Sequence, residues 1–247
     1  MRSKFVRLDA PPTAGGPERT WSASEPLALP SPAADVDVWI CGLARTRAQV
    51  DELAADLSAA ERARAARFGR DDLRDRYIVG RATLRMLLGR RLGRAPAAVV
   101  IERGTRGRPF AADANGLDFN VSHTEGVALI GMTVGVRIGV DVEHAARQLN
   151  VEGVARKFMA PLEQRRLADL EPDARRRALL RLWTCKEAMS KATGDALSAP
   201  FRHLRVETDA GLRLADGPPP YGPADWRLLS VAMPGGFLGT VALWRQG

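Results

Sequence analysis

The sequence predicts an α+β fold: two similar lobes, each a small antiparallel sheet packed with helices, with a ligand site in the cleft between them. Two observations predict it. In each half, stretches with helical periodicity are followed by short runs of strand-forming residues. The halves are of comparable length and meet at a turn-like stretch, Val134–Val136, and ligands often occupy such junctions. The 247 residues suffice for two domains of roughly 100 residues each. The expected division is a flexible leader over 1–34, an N-terminal lobe over 35–134 and a C-terminal lobe over 135–247.

The elements follow in order. Residues 1–34 are rich in Pro, Ala, Ser and Gly and lack periodicity, as a loosely packed leader would. Val36–Gly42 reads as a strand and Ala48–Leu57 as a helix. Ser58 with Glu61 three residues on has the capping-box spacing, and opens a helix that reaches about Phe68. Asp71–Leu92 reads as a longer helix with Gly93 as its stop. Val99–Arg103 is a strand, 104–109 a basic loop, and Leu117–Val121, Val127–Thr133 and Arg137–Glu143 are strands. In the second half, Val151–Phe158, Leu162–Leu170 and Pro172–Thr193 read as helices, the last stopped by Gly194. Strands follow near Leu204–Thr208, Trp226–Ala232 and Leu238–Trp244. No residue-level repeat links the halves.

Two cysteines, Cys41 and Cys185, exclude a disulfide framework and suit a reducing cytoplasm. Met1–Ala10 lacks the apolar core of a signal peptide, and no apolar run is long enough for a membrane helix. The formal charge is +8 and the sequence pI about 10.4, a balance that favours anionic partners. Of the 37 bases only four are lysine: Lys4, Lys157, Lys186 and Lys191. The arginine excess also fits a GC-rich genome.

Four motifs can carry chemistry. Asp141 and Glu143 alternate with Val140 and Val142, so in a strand both carboxylates share a face. Such a pair is unfavourable alone and stabilised by a hard cation such as Mg²⁺; a solvated polar face is the plain alternative. Trp183, Glu187 and Lys191 are spaced i, i+4, i+8 along one helix face, either a phosphate-handling face or a surface ion pair. Asn120-Val121-Ser122-His123 ends a strand; the serine can donate to phosphate and a protonated histidine can pair with it. Gly104-Thr105-Arg106-Gly107-Arg108-Pro109 offers two guanidinium groups but lacks the Gly-Lys-Ser/Thr ending of a Walker loop. Arg62, Arg64, Arg67, Arg70, Arg74 and Arg76 are mostly a solvated face from which one or two contact an anion.

In order and spacing, Gly107-Arg108-Pro109, Asn120-Val121-Ser122-His123, Gly139-Val140-Asp141-Val142-Glu143 and Trp183-Thr184-Cys185-Lys186-Glu187-Ala188-Met189-Ser190-Lys191 resemble the 4′-phosphopantetheinyl transferase superfamily. The likeness is to its monomeric, two-lobed type, which activates peptide and polyketide synthetases. It is traceable from about Ser58 to Phe201. The resemblance implies two lobes related by a pseudo-two-fold axis, with coenzyme A in the cleft. It implies Mg²⁺, with Mn²⁺ as the alternative ion, on Asp141, Glu143 and Glu187. Lys186 and Lys191 would contact phosphates, and His123 and Arg108 the 3′-phosphate with Ser122 nearby. Arg64 falls at another coenzyme A contact. Two departures matter: the family often has Lys where Arg108 stands, and its acid at Glu143 is not universal.

The resemblance further implies attack by a carrier-protein serine on the β-phosphorus of coenzyme A. Lys191 would stabilise phosphoryl oxygens, and Glu187 would accept the serine proton. The partner would be an acidic acyl or peptidyl carrier domain, with neither nucleic acid nor membrane involved, and one chain supplying both lobes fits a monomer. Two rivals fit part of the sequence. A nucleic-acid-binding protein fits the pI, but zinc-finger and RNP patterns and interleaved aromatics are missing. Another Mg²⁺-dependent phosphate enzyme would consume coenzyme A without an apo carrier.

Overall fold

The structure is a computed structural model that describes residues 25–246, apart from Thr105 and Glu125. In the first half, β1 (Leu27–Ala28) and β2 (Val36–Gly42) lead into α1 (Arg47–Ala54), α2 (Ala59–Ala65) and α3 (Asp71–Leu92). The strands β3 (Ile101–Arg103), β4 (Pro109–Ala111), β5 (Leu117–Thr124) and β6 (Val127–Val134) complete it. The second half begins with β7 (Arg137–His144), followed by α4 (Val151–Phe158), α5 (Pro161–Ala168) and α6 (Pro172–Thr193). It ends with β8 (Arg205–Glu207), β9 (Arg213–Asp216), β10 (Trp226–Val231) and β11 (Phe237–Trp244).

Local chemistry sets the helix bounds. Ser58 accepts from the Glu61 amide while the Glu61 carboxylate accepts from the Ser58 amide, a full capping box. Both long helices stop at a glycine in the left-handed region, Gly93 (φ 65°) and Gly194 (φ 84°), where a side chain would be strained. Pro161 and Pro172 occupy first helical turns, where a missing amide costs nothing.

The first lobe's sheet has the order β1-β2-β6-β5, and the second lobe's the order β10-β11-β7. The pairings within both are antiparallel. Helix α3 and its neighbours cover one core, with Phe119, Ile130 and Met132 from the sheet against Leu84, Leu87 and Leu88. Helix α6 covers a second, with Leu179, Cys185 and Met189 against Leu228 and Ala242. A third apolar cluster joins the lobes: Val38, Ile40, Val127 and Leu129 meet Ile138, Val140, Val142 and Val241. The turn after Val134 is exposed, but the strands it connects, β6 and β7, both contribute to this shared core.

Some local expectations differ. Of the leader expected over 1–34, residues 1–24 lie outside the described residues. The remainder is packed: Leu27 and Ala28 pair with Ile40 and Trp39, and Leu27 and Leu29 are buried. The loop expected over 104–109 ends in a strand, because Pro109–Ala111 pairs with Ile101–Arg103. Strand β9 was not expected either; it exists by pairing with β8.

Candidate active site

Strand β7 is the floor of the site. Its even residues, Ile138, Val140 and Val142, enter the interlobe core, and its odd residues, Gly139, Asp141 and Glu143, face α6. Asp141 and Glu143 are buried, so a solvated face is excluded. Gly139 has a steric reason: a Cβ there would lie 1.9 Å from the Ala188 carbonyl oxygen. Strand and helix touch backbone to backbone, which brings Glu187 and Lys191 over the two acids.

Lys191 Nζ lies 2.6 Å from Asp141 Oδ1 and donates to Ser122 Oγ at 2.8 Å. The Ser122 hydroxyl lies 2.8 Å from the same Asp141 oxygen and donates to it across the lobe boundary. Asp141 Oδ2 is buried without a hydrogen-bond partner, a costly arrangement for a carboxylate oxygen. Glu143 pairs with Arg147 and accepts from Thr124 Oγ1 at 3.2 Å. Burial raises the Glu143 carboxyl, with Arg147 opposing and Asp141 adding to the rise. Burial also raises Glu187, with Lys191 opposing and Asp141 and Glu143 reinforcing it.

These groups line a cavity of about 400 Å³ with His123, Arg147 and Trp183. It adjoins a larger one of about 550 Å³, since Val121 and His123 line both. The larger cavity is walled by Arg64, Arg76, Arg81, Tyr77 and Leu73 from the first lobe. The Arg64 guanidinium lies over the Tyr77 ring, 5.5 Å from its centroid, which fixes its approach. His123 is pushed down to about 4 by burial and by Lys191 and Arg81, although part of the residue is open to solvent. A neutral imidazole therefore sits where the two cavities meet, among positive charges that an anion would offset.

Carboxylate oxygens, one of them unpartnered, form a donor set that suits a hard cation. Among the described residues no three His, Cys, Asp or Glu side chains converge into a complete metal cage. The set fits an ion whose remaining ligands are water and substrate phosphate, the usual habit of Mg²⁺.

Residues 137–229 match the model of the 4′-phosphopantetheinyl transferase superfamily. Residues 44–133 match that of the 4′-phosphopantetheinyl transferase N-terminal region. The 4′-phosphopantetheinyl transferase HetI of Nostoc sp. is 37% identical over 73% of this chain and 77% of its own length. The chain belongs to the 4′-phosphopantetheinyl transferase superfamily. A putative 4′-phosphopantetheinyl transferase of Synechocystis sp. is 33% identical over 82% of this chain and 80% of its own. A 4′-phosphopantetheinyl transferase of Bacillus subtilis is 26% identical over 69% and 76%. The protein is an enzyme of this transferase type.

Within this phosphopantetheinyl transferase, seven of the nine residues singled out from the sequence line the paired cavities: Arg64, Ser122, His123, Asp141, Glu143, Glu187 and Lys191. Two do not. Arg108, expected at the 3′-phosphate, is buried in a two-pronged pair with Asp118 at 2.7 and 2.6 Å. It also donates to the carbonyls of Ile138 and Lys191. Its donors are committed to clamping the lobes and capping the end of α6. Lys186, expected on phosphate, has no exposed surface; its Nζ lies 2.6 Å from Glu163 and donates to the carbonyls of Phe158 and Phe201. Burial lowers its pKa, and the Glu163 carboxylate works against that. It is a structural base.

Other residues of the site escaped the sequence reading. Arg147 follows Glu143 by four residues, but in a turn rather than a helix, so the spacing carried no signal. Arg81 could have been found, because Tyr77, Arg81 and Leu84 share the face of α3 that walls the cavity.

Proposed function

We propose that this transferase moves the 4′-phosphopantetheine group of coenzyme A onto a serine of an apo acyl or peptidyl carrier domain, releasing adenosine 3′,5′-bisphosphate. The observation that carries the reading is the buried, unpartnered Asp141 Oδ2 in a cavity shared with Glu143, Glu187 and Lys191. The arginine-walled cavity beside it supports an anionic, partly apolar ligand such as the nucleotide end of coenzyme A.

In this reading Arg64, with Arg76 and Arg81, holds the 3′-phosphate end, and His123 at the junction takes up a proton as phosphate arrives. Ser122 keeps Asp141 and Lys191 in register and contributes a hydroxyl near the phosphates. Asp141, Glu143 and Glu187 would hold Mg²⁺, with Mn²⁺ as the alternative ion. Glu143 is already engaged by Arg147 and Thr124, so its contact runs through water. When bound, the ion supplies neutralisation of the charge that builds on the pyrophosphate.

Lys191 adds positive charge at the phosphoryl oxygens. The carrier serine hydroxyl attacks the β-phosphorus; its oxygen–phosphorus bond forms as the bond to the bridging oxygen breaks. Glu187, whose proton affinity is raised by burial, receives the serine proton. An acidic carrier is steered by the basic surface, so its on-rate falls with salt. Both lobes come from one chain, and the enzyme acts as a cytoplasmic monomer on the carriers of peptide and polyketide synthetases. Among the described residues no helix is long and apolar enough to cross a membrane.

The test is mass spectrometry of a panel of apo carriers incubated with the protein, coenzyme A and Mg²⁺. A gain of one phosphopantetheine on a carrier serine is expected. Coenzyme A consumption without a carrier, or no gain on any carrier, would contradict the proposal.

A further inference from the structure

Strands β5 and β7 belong to different sheets, yet they lie side by side along the cleft. The main chain of β7 that faces β5 is not left bare. The amide of Ile138 donates to Asp118 Oδ2 at 2.7 Å, that of Val140 to Asn120 Oδ1 at 3.0 Å and that of Val142 to Ser122 Oγ at 3.4 Å. The offset is 20 residues at every rung, so the strands run in the same direction. The matching carbonyls are also met by side chains: Arg108 donates to Ile138 O at 2.6 Å and Lys191 to Val140 O at 3.3 Å. A ladder of side chains thus replaces main-chain pairing between the lobes, and it satisfies groups that burial would otherwise penalise.

From this geometry we infer that Asn120 is a positioning residue for Asp141, a conclusion that rests on the phosphopantetheine-transfer reading for its catalytic consequence. Asp141 sits between the two rungs at Val140 and Val142, so its carboxylate can occupy the site only while β7 keeps its register on β5. Asp118 is shared with Arg108, and Ser122 itself touches Asp141 and Lys191. Asn120 is buried and its side chain makes one hydrogen bond among the described residues, the one to Val140. Because that bond needs an acceptor, the carboxamide oxygen is fixed toward β7. The amide end is left for the larger cavity, which Asn120 also lines.

The test combines amide hydrogen exchange with steady-state transfer kinetics on the full chain. In the wild type the Val140 amide exchanges slowly, within about ten-fold of the Asp141 amide that is held in the β7–β11 pairing. Asn120→Leu removes the acceptor: Val140 exchanges at least about ten-fold faster while Asp141 does not. Turnover at saturating substrate then falls roughly ten- to a hundred-fold, as a small misplacement of a reacting group does. Asn120→Asp keeps the acceptor but adds charge to the cavity wall, so Val140 stays protected while KM for coenzyme A rises. A Val140 amide that exchanges like an open loop in the wild type would overturn the inference. So would Asn120→Leu with unchanged turnover, or Asn120→Asp that frees Val140 as much as leucine does. If Asn120→Leu does not fold, the wild-type and Asn120→Asp exchange rates decide. Absence of phosphopantetheine transfer by the wild type would instead refute the functional reading, and the exchange rates would still decide on the ladder.

Discussion

Helices α3 and α6 are the same device used twice, and only α6 brings an acid over the Asp141–Glu143 pair. Each has 22 residues and stops at a left-handed glycine. Each follows a shorter helix whose N3 glutamate, Glu61 or Glu163, turns inward. Each meets that glutamate with a buried base 14 residues after its first residue: Arg85 at 2.6 Å from Glu61, Lys186 at 2.6 Å from Glu163. One residue further on, the copies part. Helix α3 has Met86, packed against its core, where α6 has Glu187 at the cleft. The difference teaches what belongs to the frame: Lys186 is the counterpart of Arg85, a structural base, and Lys191 falls where α3 has Arg90, an exposed base, whereas Glu187 is an acid that lobe one lacks.

The largest expected effect tests the frame. Lys186→Ala leaves the Glu163 carboxylate buried without its partner and should cost about 3–5 kcal/mol, read from denaturant unfolding. Arg85→Ala should cost less, because Arg81 still lies 2.7 Å from Glu61. In folded Lys186→Ala protein, KM for coenzyme A should match the wild type. A raised KM at unchanged stability would restore Lys186 to the phosphate and break the comparison.

A smaller effect sharpens the junction between lobes. His123, neutral near pH 7 with its pKa at about 4, gains a proton when a phosphate dianion binds beside it. The bound-state pKa is then higher than the free one, so affinity rises as pH falls from that bound value toward about 4. Metal-free calorimetry should find coenzyme A binding tightening by less than about ten-fold per pH unit, the limit for one proton. Binding of 3′-dephospho-coenzyme A should lack that trend; equal pH dependence for both would remove His123 from the 3′-phosphate.

Much of this frame was legible in the sequence because it is written in local chemistry. The Ser58–Glu61 box, the bounds of α3 and α6 and the alternation in β7 depend on near neighbours. The common face of Trp183, Glu187 and Lys191 was legible for the same reason. Lys186 was misread from residue type: one position from Glu187 on a helix is about 100° of rotation, so the two cannot share a face. Arg108 was misread because a loop's sequence does not say whether its guanidinium faces solvent or a buried Asp118. The two similar lobes were legible as a pattern of elements, but no residue-level repeat was, because the paired side chains, Glu61–Arg85 and Glu163–Lys186, lie far apart in sequence and use different bases. Strands β4 and β9 exist only through partners the sequence does not mark.

The account stands most directly on Glu187, the residue that separates α6 from its copy. Transfer of labelled phosphopantetheine to an apo carrier should be followed for the wild type and for Glu187→Gln, which keeps the shape and removes the charge. Turnover should fall by about 10²-fold or more, with the fold and thermal stability retained. Undiminished turnover in Glu187→Gln would contradict the account.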